Sequence, residues 1–276
     1  MDASEIHKHW TQWAKDYGTD LRATTKAATP KMLELDALSR RLRSVLAEGT
    51  AGSVLEVGCG NGVNCVTLAK MFPNVRFDGV DFVAEMVDAA TQSARAAGLK
   101  SLRFFAGNAL EVAAVHGLEP RYDVVFTDRC LINLNSVELQ KQAITGLVGK
   151  VGAGGHLVLI ENSLDTYGAQ NRCREILGLQ PRTPASFNLF LDEKEIGRHA
   201  ARLGLELVEI EDFITLHDLV LYVLLPAING GQVDYEHPLV KAAALLSGGV
   251  SARERSAFGA FGQNRLFHWR KSTGGS

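Results

Sequence analysis

An α/β fold built on a parallel sheet is the class this sequence predicts, and three observations predict it. From Ser53 onward short apolar runs alternate with helical stretches, the signature of a sheet wrapped by helices. The first run, Val54 to Val57, passes into a helix through glycines at alternate positions, Gly58, Gly60 and Gly62. Such a turn brings free backbone amides close to a ligand with no Cβ in the way. The next run ends on an acid, Asp81, about 20 positions further on, where a strand-end carboxylate can accept ribose hydroxyls. At 276 residues and 46% hydrophobic, the chain is expected to bury one substantial core, as one domain with additions rather than two independent units.

Residues 1–50 are expected as helices ahead of the sheet. His7 to Asp16 places Trp10, Trp13 and Ala14 at helical spacing before Tyr17-Gly18 breaks the pattern. Lys31 to Leu46 repeats Met32, Leu33, Leu35, Leu38, Leu42, Val45 and Leu46 at intervals of three and four, one apolar stripe of a second helix. The polar stretch Tyr17 to Lys26 lies between them. The expected strands are Ser53–Val57, Arg76–Val80, Leu102–Ala106, Tyr122–Thr127, His156–Glu161, Glu206–Asp212 and Leu266–Arg270. Helices are expected from the glycine turn to Met71 and over Ala84–Ala97, Ser136–Lys150, Asp192–Leu203 and Pro238–Leu246. The turn Gly152 to Gly155 precedes the fifth strand. Residues 51–271 form the expected domain, with excursions at about 164–190 and 213–263, and 272–276 read as a disordered tail. Asp81 has a second reading, as a cap for the helix Ala84–Ala97.

Glu56 separates two nucleotide readings of the turn. The glycines read GxGxG rather than the GxGxxG of dinucleotide enzymes, and an acid precedes the first by two positions. A carboxylate suits a cationic ligand and would repel a pyrophosphate. On Glu56-x-Gly58-x-Gly60-x-Gly62 after Val54-Leu55, together with Asp81, Asn108 and the loop after the fourth strand, the segment Ser53 to Glu161 resembles the class I S-adenosylmethionine-dependent methyltransferases of small-molecule type.

The resemblance implies a Rossmann-like, seven-stranded, mostly parallel sheet with helices on both faces and the last strand antiparallel. It also implies an N-terminal helical lid over residues 1–50 and cap insertions after strands five and six. The cofactor would be S-adenosyl-L-methionine, leaving as S-adenosyl-L-homocysteine. Tyr17 would bring its ring near the sulfonium, Glu56, Gly58, Cys59, Gly60 and Asn61 would form the turn against it, and Asp81, Phe82 and Met86 would follow at the ribose. Asn108 would accept from the adenine amine beside the amide of Ala109, and Asp128 and Arg129 would lie in the loop beneath the methyl group, either facing the substrate or fixing the loop. Ala153 departs from the pattern, since proline is usual there.

Methyl transfer needs an acceptor held in line and water kept out. A hydroxyl acceptor also needs a base, an amine must be neutral, and a carboxylate needs only positioning. The base candidates are His217 and Glu161, with Asp128 behind them; the alternative for His217 is a surface histidine. His7 and His9 read as part of a polar helix, and His156, His199 and His268 as structural. Arg22, Lys26, Asn133, Asn162 and Asn188 are the expected acceptor contacts, with an oxygen acceptor favoured over nitrogen. If Arg22, Lys26, Arg129, Arg172, Arg174 and Arg182 converge, the acceptor is anionic; otherwise they are scattered solvated charges.

A formal charge of −2, from 29 basic and 31 acidic side chains, gives no net field toward nucleic acid or anionic lipid. The rivals are an RNA or protein methyltransferase, a non-catalytic S-adenosylmethionine-binding module and an aminopropyl transferase. Cys59, Cys65, Cys130 and Cys173 show no metal-binding spacing, and Asp128 alone is too little for a metal site. The N-terminus has no signal pattern and no apolar run reaches the roughly 18 to 20 residues of a membrane span. The expectation is a cytoplasmic biosynthetic enzyme, monomer or homodimer, acting on a small molecule without metal, membrane or nucleic-acid partner.

Overall fold

The computed structural model describes residues 3–25, 27–47 and 49–273. Lys26, an expected acceptor contact, and residues 274–276 of the expected tail lie outside the described residues. Seven strands form one sheet: β1 (Gly52–Val57), β2 (Val75–Asp81), β3 (Leu102–Ala106), β4 (Tyr122–Asp128), β5 (Val151–Asn162), β6 (Leu205–Glu211) and β7 (Asn264–Lys271). Their order is β3-β2-β1-β4-β5-β7-β6. β7 runs antiparallel to both β5 and β6, and the other pairings are parallel.

The central strands are apolar on both faces because both are covered. Val54, Phe126, Val158 and Ile160 face a core shared with helices α2 (Ala28–Val45) and α3 (Val63–Met71), whereas Leu55, Val125, Leu157 and Leu159 face a second core under α5 (Val137–Lys150) and α7 (Glu193–Arg202). Between β1 and β4 the strand order reverses. Open α/β sheets bind ligands at that switch point, outside the strand carboxyl ends, and those ends here carry Val57, Asp81, Asp128 and Asn162.

Two additions roof this edge. Helix α1 (Ala3–Tyr17) lies on α4 (Ala84–Ala96), with Trp10, Trp13, Ala14 and Tyr17 against Val83 and Met86. The cap contains α6 (Leu164–Ile176), an irregular stretch to Asp192, and a continuous helical run after β6. That run joins α8 (Thr215–Leu219), a π-helical turn (Val220–Leu224) and α9 (Leu225–Ile228), and is followed by α10 (Pro238–Gly249) and α11 (Ala252–Ser256). Of this second insertion the sequence pattern announces only α10, because the aromatic and proline residues of 220–228 have no clean helical period.

Two expectations are corrected at finer scale. The glycine turn before β5 is a bulge inside the strand, with Tyr122 opposite Val151 and Val124 already opposite His156. The inward stripe of α2 is wider than its apolar pattern. Lys31, Glu34 and Leu38 face inward with Leu33, Ala37 and Leu42, and Met32 is 43% exposed. No helix among the described residues is long and apolar enough to cross a membrane.

Candidate functional site

The glycine turn is stitched to the neighbouring strand. The amides of Gly58 and Cys59 both donate to the carbonyl of Val80, at 2.8 and 3.0 Å. Gly58 and Gly62 have φ of 78° and 80°, the left-handed region that glycine adopts without penalty. Space requires glycine too: a Cβ at Gly58 would lie 2.5 Å from Cys130 Sγ, and one at Gly62 would lie 2.8 Å from both Ala90 and Phe104. Gly62 begins α3 with no side-chain cap, which leaves the helix start available to a ligand.

Asp81 ties the glycine turn to the start of α4. Its Oδ2 accepts from the amide of Gly60 at 2.8 Å and its Oδ1 from that of Val83 at 3.0 Å, so one carboxyl joins the turn to the start of α4. Burial pushes its pKa up, and the amides of Val83, Gly60 and Phe82 work against that shift. Asn61 joins the turn to the N-terminal segment, donating to the carbonyls of Gly18 and Asp20 at 3.0 and 2.8 Å.

A cavity of about 900 Å³ opens from this turn and continues beneath α1 and the cap, toward the upper end of the range for ligand pockets. Its lining includes Glu56, Gly58, Cys59, Gly60 and Asn61 from the turn, and Asp81, Phe82 and Met86 from the end of β2 and α4. Asn108 and Ala109 follow β3, and Asp128, Arg129 and Asn133 follow β4. Asn162 reaches it from the end of β5 and Asn188 from the cap side. Asn108 Oδ1 also caps the short helical turn after β3, accepting from Leu110 N at 2.9 Å.

A buried charge network forms one wall. Lys31 Nζ contacts Asp128 Oδ2 closely and lies 2.7 Å from Glu34 Oε2. Arg129 Nε lies 3.0 Å from Glu34 Oε1 and 3.7 Å from Asp128 Oδ1. Burial opposes ionisation of Asp128, but Lys31 and Arg129 beside it hold its carboxyl below the ordinary range. Arg129 is itself in the left-handed region, φ 56°, a conformation that costs a non-glycine residue about 1–3 kcal/mol and persists where surroundings impose it. Its amide donates to Ile160 O at 2.7 Å and its carbonyl accepts from Asn133 Nδ2 at 2.9 Å. Glu56 is fully buried, receives Asn64 Nδ2 at 2.7 Å and Cys65 Sγ at 3.0 Å, and is pushed by burial up to about 8.

Four expected site residues lie off the cavity lining. Tyr17 packs beside Trp13, at 5.3 Å between rings, and under the Arg22 guanidinium at 5.1 Å, away from the cavity lining. Arg22 is held by Asp20 through hydrogen bonds of 2.9 and 3.0 Å. His217 is fully buried between Thr29 Oγ1, 3.1 Å from Nε2, and Asp218 Oδ1, 2.8 Å from Nδ1; it is neither a surface histidine nor exposed to an acceptor. Glu161 is also fully buried. It accepts from the amides of Cys130 and Leu131 at 3.0 Å and from Thr127 Oγ1 at 2.7 Å, and burial raises it to about 7. Its geometry is that of a group shaping the loop after β4, not of a base.

The sequence reading passed over Lys31, Glu34, His9, Trp10, Trp13 and Phe187, all on the lining. His9 stacks 4.8 Å from Phe187 and 5.6 Å from Trp13, and burial lowers its pKa. A lysine and a glutamate three apart on an otherwise apolar stripe of α2 are the signal that marks the charge network. For His9 and Phe187 the sequence holds no such signal, since they meet only when α1 reaches the cap loop.

Residues 49–175 match the family model for a methyltransferase domain. The fold agrees with that match over nearly the whole chain. Magnesium protoporphyrin IX methyltransferase from Synechocystis PCC 6803 with bound S-adenosylhomocysteine superposes with a TM-score of 0.60 at 15% identity, covering 98% of this chain and 100% of that one. Residues 49–175 are thus similar to a methyltransferase domain, set in a fold that this chain shares with that enzyme.

The methyltransferase fold extends to an N-methyltransferase from Bradyrhizobium japonicum in complex with S-adenosylhomocysteine, with a TM-score of 0.55 at 16% identity and 96% and 98% of the two chains covered. Among curated sequences, ribosomal RNA small subunit methyltransferase C of an Enterobacter species is 29% identical over 165 residues, 59% of this chain and 46% of that protein. The chain thus aligns with about half the length of this relative.

Proposed function

We propose that this protein transfers a methyl group from S-adenosylmethionine to a small molecule enclosed between the sheet and its cap. One observation carries the reading: the glycine turn, Asp81 and the loop after β4 open on the same cavity as the aromatic roof from α1 and the cap. The donor set fits the cofactor. Buried Asn61 Oδ1, Asp128 Oδ1, Asn162 Oδ1 and Asn264 Oδ1 have no hydrogen-bond partner among the described residues, and all four residues line the cavity. Unmatched acceptors suit a ligand rich in N–H and O–H groups and bearing positive charge.

S-adenosylmethionine supplies an activated methyl group on a cationic sulfur. The chain's task is to orient and to exclude water. In this reading Asp81 and Asn108 take the ribose and adenine, Asp128 faces the cationic end, and Trp10, Trp13 and Phe187 close the roof. Where the acceptor must lose a proton, His9, which lines the cavity with His7 and whose pKa burial lowers, is the candidate base. Calorimetry with S-adenosylmethionine and S-adenosylhomocysteine tests the reading. Absence of binding, or binding indifferent to Asp81→Ala, would end it.

A second reading, methylation of RNA, is favoured by the ribosomal RNA methyltransferase relatives. An enclosed aromatic cavity and a net charge of −2 support the small-molecule reading instead, since RNA binding draws on basic surface. Labelled methyl transfer to small-subunit ribosomal RNA, run beside transfer to a metabolite extract, separates the two.

A further inference from the structure

The structure sorts the basic residues that could recognise an anionic acceptor. Arg22 is taken by Asp20, and neither Arg172 nor Arg174 lines the cavity. Arg129 and Lys31 do, but Glu34 and Asp128 neutralise them. Arg182 differs, since every partner it has among the described residues is neutral. Its Nη1 donates to Gln170 Oε1 at 2.7 Å and its Nη2 to Gln263 Oε1 at 3.1 Å. Its guanidinium lies 3.5 Å from the centroid of the Tyr222 ring and 5.4 Å from that of Tyr167.

No carboxylate contacts the guanidiniums of this corner among the described residues. Arg174, 6% exposed, donates only to the carbonyls of Gln180 and Tyr222, so two guanidiniums share this corner without a carboxylate on either. Asp218 is the nearby acid, and its oxygens are engaged by His217 Nδ1 at 2.8 Å and by the amide of Gln263 at 2.6 Å. With two of its five N–H groups given to Gln170 and Gln263, the stacked guanidinium retains donors for a planar oxyanion such as a carboxylate. Tyr167, Phe190, Tyr222 and Tyr235 supply flat apolar wall beside it.

We propose that Arg182 selects the acceptor, an aromatic small molecule held by a carboxylate on the guanidinium edge with its ring among the cap aromatics. This rests on the methyltransferase reading. The test measures the thermal shift of the protein loaded with S-adenosylhomocysteine on adding benzoate, cinnamate or indole-3-acetate. The corresponding amides and phenyl phosphate serve as controls.

The carboxylates are expected to raise the Tm and the amides are not. Arg182→Met should weaken carboxylate binding roughly tenfold to hundredfold, Arg182→Lys should restore part of it, and both variants should bind S-adenosylhomocysteine as the parent does. The proposal is overturned if no carboxylate shifts the loaded protein, if amides or phenyl phosphate match the carboxylates, or if Arg182→Met keeps the discrimination. Failure to bind S-adenosylhomocysteine defeats the cofactor reading instead. That failure is visible before any acid is added, and the same acids on unloaded protein then test Arg182 by itself.

Discussion

Arg129 and Arg182 reach the same cavity from different parts of the chain, and their partners give them different work. Arg129 is locked by Glu34 and Asp128 in a strained backbone conformation, so its charge is consumed in fixing the loop after β4. Arg182 leans on two rings and two amide oxygens, and its charge is still available. A guanidinium on a cavity wall therefore says little about function until its counter-ions are counted.

Breaking the locked side should do the most damage. Lys31→Met strips the cation from between two buried carboxyls and is expected to cost about 3–5 kcal/mol of stability, read by urea denaturation. Asp81→Ala cuts the ties from the turn to α4. It should weaken S-adenosylhomocysteine binding roughly hundredfold, as expected for two or more charge-assisted hydrogen bonds, with calorimetry as the readout.

The next effect is on pH dependence. Burial holds Glu56 near 8 and Glu161 near 7, against an ordinary value of 4.5. The folded chain thus keeps protons that the unfolded chain releases. Their contribution to stability is full below about 4.5 and is lost as pH rises through about 8. Thermal melts of the unliganded protein should show that decline, and Glu56→Gln with Glu161→Gln should flatten it.

The open side should respond more gently. Trp10→Ala removes ring contacts with Trp13 and Phe187, worth about 0.5–1.5 kcal/mol each beyond burial. Arg182→Met should cost no more than about 1 kcal/mol in the same denaturation. Equal losses for Lys31→Met and Arg182→Met would erase the contrast between the two walls.

What was legible in the sequence follows from how far each contact reaches along the chain. The glycine turn and Asp81 are 21 residues apart through the Gly60 bond, and strand–helix alternation fixes their meeting. The network escapes because Lys31 meets Asp128 across 97 positions, and because a stripe traced by apolar residues alone passes over the buried Lys31 and Glu34 beside Leu33. His217 and Glu161 were chosen for lying past strand ends. Position along a strand does not say whether a side chain points into the cavity or behind it.

The antiparallel β7 has a consequence for how such a protein could diversify. Asn264 at its start is the register partner of Asn162 at the end of β5, so the backbone leaves for one cap segment and returns from the other at adjacent points. Both excursions are spliced beside one another at the rim and leave the order of the sheet untouched. A chain with this wiring can exchange its cap by grafting at a single seam, while the turn, Asp81 and the strand ends are inherited intact.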